Sequence, residues 1–320
     1  MGMKSVLSRA LTGSIAGGTL AACTGSGFGL PSDRLSGSAP AAVPGLRASW
    51  IDPGAKSSPL LYVSDQNAST VYIYAYPSLA PAGQITGFNL PSGLCVNRRT
   101  GDVWVTDAFA STITEFAHGG TTPIRIINDG SVYAAACSVK ARTGDVAVTS
   151  FPTDDPSVLQ IYKPESSKPT IYTDFKHAFS MNFDAYDAHG NLFVDASHFG
   201  PGHFGLDELA KGSRVLTNIA WAGPPVRLPG GIQFDGLYLA IGDAVKDRIY
   251  RTNNGNVIAT VKLKGACIVN SFFIHEGAVI ALSACGNSTG QVLIYNYPAG
   301  GAPLKELSGF NRPYSAVVSP

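Results

Sequence analysis

Charge is what this sequence has least of: Asp, Glu, Lys and Arg make up 14% of 320 residues, against roughly 25% in an ordinary soluble domain. The 23 basic and 22 acidic residues nearly cancel to a net +1, and no Lys/Arg run appears. A row of phosphates could not be neutralised, which excludes nucleic acid as a partner. The apolar stretch near the start, Ala10 to Leu20, is too short for a bilayer-spanning helix, which needs about 20 residues. No strand-to-helix nucleophile elbow and no phosphate-binding glycine loop is evident. What is abundant is Gly, at 36, and Pro, at 21, the composition of many short strands joined by tight turns.

Lys4 and Arg9 place positive charge ahead of Ala10–Leu20, the order of a secretory signal. The stretch ends in Leu20-Ala21-Ala22-Cys23, which resembles the bacterial lipobox, where a small residue precedes a cysteine that is diacylated before cleavage. The resemblance implies a signal peptide over 1–22 and a lipidated mature N-terminus at Cys23. Each buried CH₂ adds about 0.8 kcal/mol of membrane affinity, so more than one acyl chain holds stably. The alternative is an ordinary secretory signal, cleaved after an A-x-A-like site with Cys23 incidental. Residues 23–58, rich in Gly, Ser, Ala and Pro, read as a flexible tether, leaving 59–320 as the folded domain. Trp50-Ile51 interrupts the tether with bulky groups, expected to pack on the domain's flank or bottom.

From residue 60 an apolar alternation ending in a polar residue returns about every 43 residues, a propeller or solenoid period. Its six copies are Leu61–Asp65, Val103–Asp107, Val146–Ser150, Leu192–Ala196, Leu239–Asp243 and Val279–Ser283. Each copy after the first follows a tight turn such as Arg99-Thr100-Gly101-Asp102 or His189-Gly190-Asn191, the join of an antiparallel hairpin. Further strand patterns follow, for example Val71–Tyr74 and Val292–Tyr295, then outer strands such as Ile124–Ile127 and Val257–Val261. Four antiparallel strands per unit make a propeller blade.

The run Pro91-Ser92-Gly93-Leu94-Cys95-Val96, then Gly101-Asp102-Val103-Trp104-Val105-Thr106-Asp107, resembles the NHL repeat. Over residues 60–320 the resemblance implies an all-β, six-bladed β-propeller of four-stranded blades. Innermost strands then fall near Leu94, Ala136, Phe183, Ile232, Phe272 and Ala316. The last of these has no hairpin after it, and Leu61 has no inner strand before it, so the C-terminal strand is expected to join the first blade and close the ring. Related propellers, the gluconolactonase (senescence marker) family and streptogramin lyases, act through metal-linked residues at the axial mouth. No segment here matches their motifs, so the fold carries over and their sites do not.

Four cysteines remain beyond Cys23, an even number in an exported chain. Cys95 and Cys137 sit on neighbouring inner strands with opposite parity, so their side chains look at each other. Cys267 and Cys285 fall at one end of the last blade. Both pairs are candidate disulfides, against four buried thiols packed as small hydrophobes. The loops after the second strands are long and polar, and their end of the ring is the expected ligand face for a protein, glycan or small molecule. Asp65, Asp107 and Asp243 recur there, as a carboxylate ring for a divalent cation or, more simply, as caps on loop backbone. His177, His198 and His203 converge on one blade as a second candidate metal set. The expectation is a monomeric, lipid-anchored, extracytoplasmic propeller acting as a binding or scaffold module without a cofactor. A metal-dependent lactonase, hydrolase or lyase is the alternative. Replacing Cys23 by Ser is expected to move the protein from the membrane to the soluble fraction; continued sedimentation with membranes contradicts lipidation.

Overall fold

The computed structural model describes residues 48–130, 133–150, 157–173, 178–198, 204–285 and 290–320, without the side chains of 178, 179, 197 and 198. Its first strands are β1 (Trp50–Ile51), β2 (Leu60–Asp65), β3 (Thr70–Ala75) and β4 (Pro81–Thr86). The second blade holds β5 (Pro91–Val96), β6 (Val103–Asp107), β7 (Thr112–Phe116) and β8 (Pro123–Asn128). The third holds β9 (Ala134–Val139), β10 (Val146–Ser150), β11 (Val158–Tyr162) and β12 (Thr170–Thr173). The fourth holds β13 (Ala178–Tyr186), β14 (Leu192–His198), β15 (Phe204–Leu209) and β16 (Thr217–Asn218). The fifth holds β17 (Pro229–Phe234), β18 (Leu239–Asp243), β19 (Arg248–Asn253) and β20 (Asn256–Lys262). The sixth holds β21 (Ile268–His275), β22 (Ala278–Ala284), β23 (Gly290–Asn296) and β24 (Lys305–Phe310), and β25 (Pro313–Ser319) follows. Every sheet is an antiparallel meander, and β25 pairs with β2 in the first blade.

The burial of the strands follows their distance from the axis. Second strands β2, β6, β10 and β18 are buried at every position, because a neighbouring blade covers each of their faces. Outer strands such as β8 and β20 alternate with solvent, exposing Ile124, Ile126 and Ile258. The apolar seams lie between blades: Leu61, Val63, Ala316 and Val318 pack against Ile280, Leu282 and Val292 of the sixth. Each large apolar side chain buried there stabilises the fold by roughly 1.5–3 kcal/mol.

Two disulfides add covalent ties. Cys95–Cys137 joins the inner strands of the second and third blades, with Cα atoms 5.6 Å apart. Cys267–Cys285 staples the entry of β21 to the exit of β22, at 5.2 Å. Facing side chains of opposite parity on adjacent blades are what make the first bridge possible.

The folded body begins before residue 59. Trp50 and Ile51 pair with Gln84 and Gly83 as a fifth strand on the outer edge of the first blade. Asp52 then accepts the Gly54 N–H and caps a short 3₁₀ helix, Pro53–Ser57. A Cβ at Gly83 would stand 2.5 Å from the Trp50 carbonyl oxygen, so only glycine lets this strand approach. Composition alone reads this stretch as tether, since two paired residues carry no period.

Closure depends on β25, whose register sets Leu61 opposite Val318 and Val63 opposite Ala316. A chain ending at Arg312 exposes the β2 edge and opens the axis. The expected outcome is loss of a cooperative urea transition; a retained sharp transition contradicts closure as the stabilising step.

Candidate functional site

The recurring aspartates of the first, second and fifth blades face the approach to the inner strand. Asp65 accepts the N–H groups of Asn311 at 2.7 Å and Arg312 at 2.8 Å, immediately before β25. Asp107 repeats this on Asn89 at 2.7 Å and Leu90 at 2.8 Å, immediately before β5. Asp243 faces the backbone of Arg227, Val245 and Lys246 in a looser geometry, and burial raises its pKa. All three are buried opposite a proline that opens the inner strand, Pro313, Pro91 and Pro229. In the first two blades both carboxylate oxygens are occupied by backbone donors, so those aspartates act as caps. Among the described residues no three His, Cys, Asp or Glu gather as a metal-holding group. His177 and His203 lie outside the described residues, as does the side chain of His198, whose backbone ends β14.

The residue before the aspartate has a role that the sequence pattern displayed without declaring. Ser64 Oγ accepts the N–H of Ser315 on its own inner strand at 3.0 Å and donates to the Ser92 carbonyl of the next blade at 2.6 Å. Thr106 Oγ1 accepts from Gly93 at 2.7 Å, and Thr149 Oγ1 donates to the Asn182 carbonyl of the next blade at 3.0 Å. Inner strands bulge at this level, for example between Pro91 and Leu94. The hydroxyls satisfy backbone groups that the ladder leaves open.

At the same level Tyr314 on β25 reaches across the ring and stacks on Phe183 of the opposite, fourth blade, with ring centroids 6.3 Å apart and planes at 24°. A cavity of about 800 Å³ is lined by the later halves of all six inner strands and the turns that follow them. It therefore opens at the tight-turn end. Among the described residues none of the long loops, the expected ligand face, lines it. A smaller cleft of about 230 Å³ between the fourth and fifth blades shares Asp187 and Phe234 with the cavity.

The charged groups at the mouth are mostly engaged. Asp235 accepts Arg251 Nε and the Tyr297 hydroxyl, both at 2.7 Å, and the N–H groups of Leu237 and Tyr238. These hydrogen bonds outweigh burial and hold its pKa below the usual carboxylate value. The Arg251 guanidinium lies 4.9 Å from the Tyr238 ring centroid and 5.6 Å from that of Tyr297, pinning the fifth blade to the sixth. His275 stacks on Phe273 and meets Tyr76 edge-on, and burial lowers its pKa.

Two carboxyls deeper in the wall are held differently. Asp184 on β13 accepts the Ser138 hydroxyl of β9, its other oxygen is buried without a partner, and burial pushes its pKa up to about 7. Asp195 on β14 accepts the Phe183 N–H at 2.8 Å and is raised well above the carboxylate range by burial and by Asp184. Asp195 stands in the repeat copy Leu192–Ala196 at the position of Ser64 and Thr106, whereas Asp184 carried no signal in the sequence.

An NHL repeat is matched over residues 88–114, from the loop before β5 into β7. The chain carries an NHL repeat. Among solved structures it is similar to the crystal structure of a nidogen/laminin complex, at 13% identity and a TM-score of 0.68, covering 82% of this chain and 99% of that one. It is also similar to a protein of unknown function from Bacteroides caccae, at 11% identity and a TM-score of 0.61, with the same coverages. Such identities establish the six-bladed fold and nothing of the chemistry. No curated protein sequence matches the chain. The string Gly286-Asn287-Ser288-Thr289-Gly290 does spell G-x-S-x-G; residues 286–289 lie outside the described residues, and strand β23 begins at Gly290, whereas a nucleophile elbow is followed by a helix.

Two outcomes follow from these carboxylates. Asp107→Ala strands the Asn89 and Leu90 N–H groups and should cost roughly 2–4 kcal/mol by urea denaturation at neutral pH; an unchanged midpoint contradicts the cap. Asp184 has a folded pKa of about 7 against an ordinary 3.8, so between those values unfolding releases a proton. Its contribution to stability therefore falls as pH rises from about 4 to about 7 and is level above. Asp195 shifts in the same direction and steepens the same slope. Asp184→Asn should flatten the fall in urea midpoint across that window; identical slopes contradict the assignment.

Proposed function

We propose that this chain is an exported, lipid-anchored binding module whose ligand enters the axial cavity at the tight-turn end. The observation that carries the reading is the cavity itself, about 800 Å³, walled by six inner strands and lined by Phe183, on which Tyr314 stacks. That volume lies in the range of small-molecule sites, roughly 300–1,000 Å³. Binding is favoured over metal-dependent catalysis because Asp65 and Asp107 spend their carboxylates on backbone N–H groups. The two disulfides suit an oxidising, extracytoplasmic compartment, which supports reading Leu20–Cys23 as a lipobox. Rigid inner strands give such a site its shape without a lid.

The test uses the neutral dye N-phenylnaphthylamine, which fluoresces on entering apolar cavities. Ala141 and Ala188 line the rim and are exposed, so a tryptophan at either can cover the mouth without crowding the core. The mature protein should enhance the dye's emission, and Ala141→Trp and Ala188→Trp should each reduce it at an unchanged urea midpoint. No enhancement, or enhancement indifferent to both variants, contradicts the axial site.

A further inference from the structure

Most charged groups lining the cavity are met by protein partners or by solvent. Asp235 is answered by Arg251 and Tyr297. Asp187 is held by three N–H groups of its own turn and by the Asn191 amide. Asp184 is held by Ser138 and driven towards its neutral form by burial. Glu276 stands largely in solvent, 3.7 Å from the ring of His275. The remaining group is Arg98, at the mouth where the chain leaves β5.

Arg98 makes no hydrogen bond and no ion pair among the described residues. Its guanidinium stands 5.9 Å from the centroid of the Phe273 ring, a residue of the cavity wall. The side chain is exposed to solvent at the rim, and the protein packed on its inner side lowers its pKa. A guanidinium in partly desolvated surroundings without a counter-ion lacks its natural partner, and its planar fork of donors matches a carboxylate. Beyond it the wall carries the apolar side chains of Leu94, Phe183, Ile232, Phe272, Phe273 and Val317 beside polar ones such as Gln233 and Ser271.

We infer that the axial cavity takes an amphipathic organic acid, with the apolar body against the inner strands and the carboxylate on the Arg98 guanidinium. This rests on the cavity being the binding site. A cationic ligand would meet the Arg98 charge at the entrance, and a purely polar one would strip water from the aromatic part of the wall without return. The acid would give that guanidinium a counter-ion and bury apolar surface in the same step.

The inference is tested with three probes of one size: phenylbutyrate, phenylbutyramide and phenylbutylamine. Each is titrated calorimetrically into the mature protein, Arg98→Gln, Arg98→Lys and Ala188→Trp. The acid should bind about tenfold or more tightly than the amide, with the amine weakest. Arg98→Gln should erase that advantage while leaving amide affinity within about twofold, and Arg98→Lys should keep part of it. The urea midpoint of Arg98→Gln should match the parent, since the side chain is tied only to a ring. Equal binding of acid and amide, or an advantage that survives Arg98→Gln, overturns the inference. If acid and amide bind equally and Ala188→Trp blocks both, the cavity site stands and only the acid preference falls. If no probe binds, both fall.

Discussion

The pairing of β25 with β2 is the constraint on which everything else in this molecule rests. It joins residues more than 240 positions apart, such as Asp65 and Arg312, and turns an open array of hairpins into a ring without free inner edges. The strand that closes the ring also delivers two parts of the axial site. Tyr314 lays its ring on Phe183 of the opposite blade. Ser315, the next residue, lines the cavity and holds both Ser64 and the Leu94 N–H. Stability and binding geometry are thus set by the same seven-residue strand.

Around the ring, a polar pair at the end of the second strand does the joining. The aspartate fastens the loop that enters its own inner strand, and the hydroxyl before it bridges to the next blade. These groups are buried, so a charge or hydroxyl left unmet there would cost about 1–3 kcal/mol. Such costs explain why the pattern recurs as Ser64-Asp65 and Thr106-Asp107. It loosens in the fifth blade, where Gly242 stands in the hydroxyl position and its missing Cβ would lie 2.5 Å from the Gly230 oxygen. The same economy of charge extends to the mouth, where the described acids are engaged by donors, by burial or by solvent.

Blade number, strand positions and closure were legible in the sequence because a repeat states its own period. Leu94, Ala136, Phe183, Ile232, Phe272 and Ala316 all stand on inner strands, and the opposite parity of Cys95 and Cys137 translated directly into a bridge between blades. That Trp50 and Ile51 pack on the domain's flank was legible from their bulk, but not that they do so as a paired edge strand, because two residues have no period of their own and are recruited by the gap at Gly83. The side of the ring that holds the cavity was not legible either. Loop length pointed to the end bearing Asp65 and Asp107, and the cavity is lined instead by the tight turns of the other.

The sequence by itself determined the period, the alternation within each strand and the turn between strands, since these depend on neighbours within about ten residues. It also carried the short signal ahead of Cys23, whose reading depends on chain order alone. The tertiary structure decided which side chains meet between blades: Tyr314 with Phe183, Asp184 with Ser138, and Arg98 with Phe273. Those encounters join residues of different blades, and their geometry exists only once the ring has closed.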